Sequence, residues 1–146
     1  MKPVVRIREV VSALLTNERG EVLLQLRDDK PDLPYANYWT PFGGSVEPGE
    51  APVAAVEREL LEELDVRARL TLWNIHACPV RSIPGKLICM HYSYYGLLEQ
   101  SVETLTLREG QAMAWFTRDR LRGMKLAYGQ ETLLDAFFAR QLEGIR

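Results

Sequence analysis

The run Arg58-Glu59-Leu60-Leu61-Glu62-Glu63 gathers three carboxylates and one guanidinium into six residues. Pro52 suits the first turn of a helix, where its missing N–H costs nothing, and the apolar spacing from there to Leu64 is helical. At about 100° per residue, Glu63 falls about 40° to one side of Glu59 and Glu62 about 60° to the other, so the three share one face. Like charges so placed destabilise an isolated helix by roughly 0.2 to 0.5 kcal/mol per pair, and only Arg58 supplies a local counter-charge. A solvated helix face normally alternates charge sign, which this run does not. Hard carboxylate oxygens instead suit Mg2+ or Mn2+, ions that bind through a few protein oxygens, retained waters and substrate phosphates. Upstream, Gly43-Gly44 lets the backbone bend and bring a carbonyl close to such an ion. The chemistry to which this donor set points is phosphoryl hydrolysis: the ion polarises a phosphoryl oxygen and acidifies a bound water, and a free carboxylate takes the proton.

The elements that must position these groups are readable around them. Residues 4–15 and 22–26 are rich in β-branched and aliphatic side chains and flank Asn17-Glu18-Arg19-Gly20, a hairpin pattern. Residues 28–37, with Pro31, Pro34 and three aspartates, form a loop. Val53, Val56, Leu60 and Leu64 make a stripe about 80° wide that turns the predicted helix, Pro52 to Leu64, toward the core. Strands are expected over 67–77, 87–98 and 112–116, with Pro79 and Pro84-Gly85 in the connection between the first two. Thr117 is the expected N-cap of a short helix, and Leu133, Leu134, Phe137, Phe138 and Gln141 pattern a last amphipathic helix. The order of three strands, a helix, three strands and a helix, unbroken by a linker, predicts one α/β domain over residues 1–146, a mixed β-sheet covered by helices.

The stretch from Gly44 to Val66 resembles the Nudix box: a glycine, five residues, a glutamate, seven residues, then Arg-Glu-aliphatic-x-Glu-Glu-x-Gly-aliphatic. Gly44, Glu50, Arg58, Glu59, Leu60, Glu62, Glu63 and Val66 all fall in register, and Asp65 stands where the family has glycine. That position ends the helix, where a left-handed conformation is wanted; aspartate tolerates it at a strain of about 1 kcal/mol. The resemblance implies an α/β/α sandwich and a metal-dependent hydrolase cutting a diphosphate linkage. It further implies that Glu59, Glu62 and Glu63, with the Gly44 carbonyl, hold the metal and supply the base. Glu50 and Arg58 become the supporting pair, the arginine orienting the catalytic glutamate. Glu59 is the first choice as base, and Glu109, in Arg108-Glu109-Gly110-Gln111, is the distal candidate.

Composition narrows the partners. The chain has 146 residues and a formal charge of -2, without the basic footprint of a protein that binds nucleic acid polymers. No long apolar run or signal peptide opens it, because Lys2, Arg6, Arg8 and Glu9 interrupt the first fifteen residues, so no membrane partner and a cytoplasmic address are expected. A monomer and a homodimer both fit. Cys78 and Cys89 lack CxxC spacing and read as buried thiols.

The substrate is less legible. Tyr38 and Trp39 are candidates for stacking on a base, as is Tyr35. Phe42 is a further candidate for contact with the substrate, since Phe42-Gly43-Gly44 resembles the opening of the box in some 8-oxo-dGTP diphosphatases, and Arg27 is a candidate for a phosphate. The family's marks for ADP-ribose, dinucleoside polyphosphate and coenzyme A hydrolases are not matched, apart from a loosely placed Pro84 in the window Ser82, Ile83, Pro84. A nucleoside triphosphate or a nucleotide sugar therefore remains as substrate. Two alternatives stand against a hydrolase. An isomerase resembling isopentenyl diphosphate isomerase would need an active-site cysteine and metal-binding histidines, for which only His76 and His91 are at hand. A non-catalytic nucleotide sensor would be expected to have lost some of these glutamates.

Overall fold

The computed structural model describes residues 6–79 and 87–144, with side chains over 6–77 and 87–140. Pro84-Gly85, the window Ser82, Ile83, Pro84 and residues 4 and 5 of the first predicted strand lie outside the described residues, as do the side chains of Cys78 and Gln141. Among the described residues, seven strands form one mixed sheet: β1 (Arg6–Thr16), β2 (Val22–Leu26), β3 (Trp39–Thr40), β4 (Phe42–Ser45), β5 (Thr71–Pro79), β6 (Leu87–Leu97) and β7 (Ala112–Phe116). Helices α1 (Pro52–Leu64) and α2 (Glu131–Gly144) complete the fold, with three short 3-10 turns.

The order along the sheet is β3-β2-β1-β6-β5, with β4 also on β1 and β7 also on β2. The last six residues of β1 are all buried, alternating between two cores. Val11, Ala13 and Leu15 pack with Val56, Leu60 and Leu64 of α1, whereas Leu14 packs with Leu134, Phe137 and Phe138 of α2. A strand covered on both faces has no solvated side to present, which is why its C-terminal half carries no charged side chain and only the small polar residues Ser12 and Thr16. The α/β/α sandwich follows directly, and no helix among the described residues is long and apolar enough to cross a membrane.

Four expectations change. Four strands rather than three precede α1, because Pro41, with no N–H to donate, separates β3 from β4. The fifth strand begins at Thr71 rather than residue 67, since Val66, Ala68 and Leu70 pack against the α1 core. Val53, on the predicted stripe, is 43% exposed in the first turn, while Ala55 and Glu63 are buried. The buried arc of α1 is thus displaced toward its carboxylates. The short helix after β7 is a 3-10 turn, Asp119–Leu121, whose Arg120 N–H donates to Thr117 Oγ1 at 3.3 Å.

Candidate active site

The site forms where α1 crosses β4. Val10 to Ala13 of β1 pair with Phe42 to Ser45 of β4, so the two glycines are fixed as a strand against the core. Gly43 lies at φ 152, and a side chain there would strike the Val11 carbonyl. A Cβ on Gly44 would run into the Glu59 carboxylate. Only glycine lets the helix lie this close, so the spacing read from the sequence has a steric cause.

Glu63 is 3% exposed, and its Oε2 accepts the Gln25 side-chain amide at 3.3 Å and the Gly43 N–H at 3.4 Å. Burial, followed by the neighbouring charges of Glu59 and Glu109, pushes its pKa up to about 9. Glu59 is also raised by burial, opposed by Arg58. Arg58 is the electrostatic hub. Its Nε and Nη2 donate to the two oxygens of Glu50 at 2.8 and 3.0 Å, Nη2 to the Ser45 carbonyl at 3.0 Å, and Nη1 to Glu59 at 3.1 Å and Glu62 at 3.3 Å. The fork on Glu50 holds that carboxyl below its usual range and raises the guanidinium above its own.

The three glutamates are not equivalent. Glu59 and Glu63 face each other beneath Gly44, whereas the Glu62 side chain is 57% exposed and turned to Arg58. Among the described residues, no three His, Cys, Asp or Glu side chains stand as a complete metal cage. The donors nevertheless fit a hard divalent cation: two facing carboxylates, all-oxygen chemistry and a backbone brought up against Glu59 by a residue that admits no side chain. An ion there would supply the charge that neither Gln25 nor Gly43 brings to the buried pair.

The remaining candidates disperse. Exposed Glu109 stands near enough to raise the Glu63 pKa, and the Arg108 N–H donates to the Glu63 carbonyl at 2.8 Å. Phe42 is wholly buried in the α1 core, which removes it from the substrate contacts expected of it. Trp39 packs edge-on against Phe116, with ring centroids 4.9 Å apart. Tyr38 is half-buried between Tyr35 and Lys125. Arg27 donates Nε to the Pro34 carbonyl at 2.9 Å and lies over the Tyr128 ring. Three residues outside the sequence candidates also stand here: Gln25, Tyr128 and Glu47, which lies 3.8 Å from Arg58. Of these only Gln25 carried a signal, as the one polar residue in Val22–Leu26.

The histidines of the isomerase alternative face each other across β5 and β6, with ring centroids 4.9 Å apart. His91 shares a 2.6 Å hydrogen bond with Ser12 Oγ, and burial, then His76, lowers its pKa to about 4. It is a neutral ring tied into the sheet.

Sheet, helix and carboxylates together define a Nudix hydrolase. The chain belongs to the NUDIX domain family, whose model matches residues 6–137. It is 33% identical to the CTP pyrophosphohydrolase of Escherichia coli strain K12 over 135 residues, 90% of this chain and 91% of that one. It is 28% identical to nucleoside triphosphatase NudI of Enterobacter sp. strain 638, over 83% of this chain and 89% of the relative. Among solved structures it matches the E. coli ORF135 protein with a TM-score of 0.76 at 29% identity, covering 94% and 92% of the two chains. The MutT protein of Methanosarcina mazei Go1 shares the fold, with a TM-score of 0.75 at 21% identity and 97% of each chain covered.

Proposed function

We propose that this Nudix pyrophosphohydrolase hydrolyses a nucleoside triphosphate at the diphosphate linkage next to the nucleoside, with Mg2+ or Mn2+, releasing a nucleoside monophosphate and pyrophosphate. The observation that carries the reading is the buried pair Glu59 and Glu63 packed beneath Gly44, with Glu62 joined to Glu59 through Arg58. Glu59, Glu62, Glu63 and the Gly44 carbonyl would hold the ion, which when bound supplies charge neutralisation and Lewis acidity at a phosphoryl oxygen. Arg58, gripped by Glu50, fixes Glu59 by Oε1, so the second oxygen of Glu59 takes the proton of the attacking water. Gln25 and the Gly43 N–H orient Glu63. Glu109, on the loop beside Glu63, is the further carboxylate that can approach the water. The preference for triphosphates over nucleotide sugars rests on the names of the relatives, a CTP pyrophosphohydrolase and a nucleoside triphosphatase, matched over most of their length.

The test is a panel of nucleoside triphosphates and nucleotide sugars offered to wild type and Glu63→Gln with and without Mg2+. Wild type should release pyrophosphate from a triphosphate only with the metal, and the variant should lose on the order of 100-fold or more in kcat, the scale expected for a removed electrostatic group. Equal turnover by the variant, or metal-independent turnover, would overturn the proposal.

A further inference from the structure

A path of contacts leads from the carboxylates to an exposed group of aromatic rings. Gln25, bonded to Glu63, packs against Gly110, where a Cβ would approach the Gln25 side chain to 2.9 Å. The next residue, Gln111, donates its side-chain amide to the Arg27 carbonyl at 2.8 Å and to Asn37 Oδ1 at 2.7 Å. Arg27 follows Gln25 by two positions, about 7 Å along an extended chain. Its guanidinium lies 5.4 Å from the centroid of Tyr128, whose ring is 4.5 Å from that of Tyr35 and tilted 55° to it.

Two features separate this pair from ordinary surface tyrosines. Tyr35 and Tyr128 are 42% and 54% exposed although their rings touch. Both also adopt left-handed backbone, φ 55 and φ 59, from two distant parts of the chain, as does Asn37 at φ 65. Non-glycine residues held in that region carry strain, which persists where surrounding structure enforces it and which gathers at ligand sites. Here Arg27, through the Pro34 carbonyl, and Gln111, through Asn37, brace the turn that carries Tyr35, and the outcome is an exposed aromatic pair with a cation over the Tyr128 ring. Arg27 commits only Nε to protein, so among the described residues its Nη groups carry no protein hydrogen bond and are available to a phosphate.

We propose that Tyr128 and Tyr35 form the surface on which the base of the substrate stacks, with Arg27 set between that surface and the catalytic carboxylates. This rests on the nucleoside triphosphate reading and moves base recognition from half-buried Tyr38 and Trp39 to the exposed pair. Stacking on tyrosine tolerates any base, since each has a π-face, so the surface selects for the presence of a base rather than its identity.

The experiment compares CTP with ribose 5-triphosphate, which carries the phosphates without a base, on wild type, Tyr128→Ala, Tyr128→Phe and Tyr35→Ala. For Tyr128→Ala the KM for CTP should rise about tenfold, equivalent to about 1.4 kcal/mol, with the effect on KM rather than kcat. The same variant should leave KM for ribose 5-triphosphate within twofold, Tyr128→Phe should restore the wild-type value, and Tyr35→Ala should act in the same direction. An unchanged KM for CTP, or an equal rise for both substrates, overturns the inference; if Tyr128→Ala loses its fold, Tyr35→Ala decides. Wild type that cleaves no nucleoside triphosphate removes the underlying reading and the inference with it, a result seen before any tyrosine is changed.

Discussion

Gln25 donates its side-chain amide to Glu63 Oε2 from the middle of a strand whose other residues are aliphatic. Buried to 6% exposure, it has no solvent with which to exchange that bond, and its partner is the more deeply buried carboxylate of the facing pair. The amide helps fix where the Glu63 carboxylate points, so in the proposed reaction it would act through Glu63 alone.

Replacing Gln25 by leucine keeps the strand apolar and removes the donor. Partners of this kind typically contribute 10- to 100-fold to metal affinity or activity. Gln25→Leu should raise the Mg2+ concentration for half-maximal activity by about tenfold or more, with much of the rate recovered at saturating Mg2+. An unchanged Mg2+ titration would assign the amide to packing alone.

His91 contributes to the pH dependence of stability on the acid side. Its ordinary pKa of 6.5 falls to about 4 in the fold, so folding favours the neutral ring. That contribution is complete above pH 6.5 and is lost as pH falls through 4, by about 3 kcal/mol in all. Glu63, raised to about 9, runs the other way: its contribution is present below 4.5 and lost as pH rises through 9. Urea unfolding of wild type and His91→Gln at pH 7 and pH 4 separates the two, since Glu63 is common to both proteins. The advantage of wild type over the variant should shrink by about 3 kcal/mol between those pH values, and a constant difference would show that His91 does not titrate this way.

Asp65 ends α1 at φ 54 and ψ 43, with its N–H on the Leu61 carbonyl at 3.0 Å and its carboxylate 3.3 Å from Arg108. Glycine adopts this conformation without the Cβ penalty, and an exposed ion pair returns little. Asp65→Gly should raise stability by about 0.5 to 1 kcal/mol and Asp65→Ala should lower it by a similar amount. Thermal unfolding that ranks alanine above glycine would contradict the strain described at this cap.

The extent of the helix that carries the carboxylates was legible, because Pro52 and the left-handed position at Asp65 are local signals that do not depend on the rest of the chain. The division of labour among its glutamates was not. A helical wheel shows that Glu59, Glu62 and Glu63 share a face, but which of them is buried depends on how close β4 lets α1 come, a distance set by Gly43 and Gly44 against β1. Gln25 was marked as the one polar residue of its strand, but its role was not: such a residue looks alike whether it faces water or a carboxylate. Tyr128 was hidden by separation, since its partners Arg27 and Tyr35 lie 101 and 93 residues away in the chain.

The parallel ladder between β1 and β6 pairs eleven successive residues, from Arg6 with Leu87 to Thr16 with Leu97, each 81 positions from its partner. During synthesis, β1, β4 and α1 leave the ribosome well before the strand that completes their sheet exists. Loops of this length make native pairing slow to close and leave apolar strand surface open to wrong partners meanwhile. The helix that bears the carboxylates is therefore an early sequence but a late structure: a fragment ending after α1 would carry every box glutamate and still lack the strand that completes the sheet beneath them.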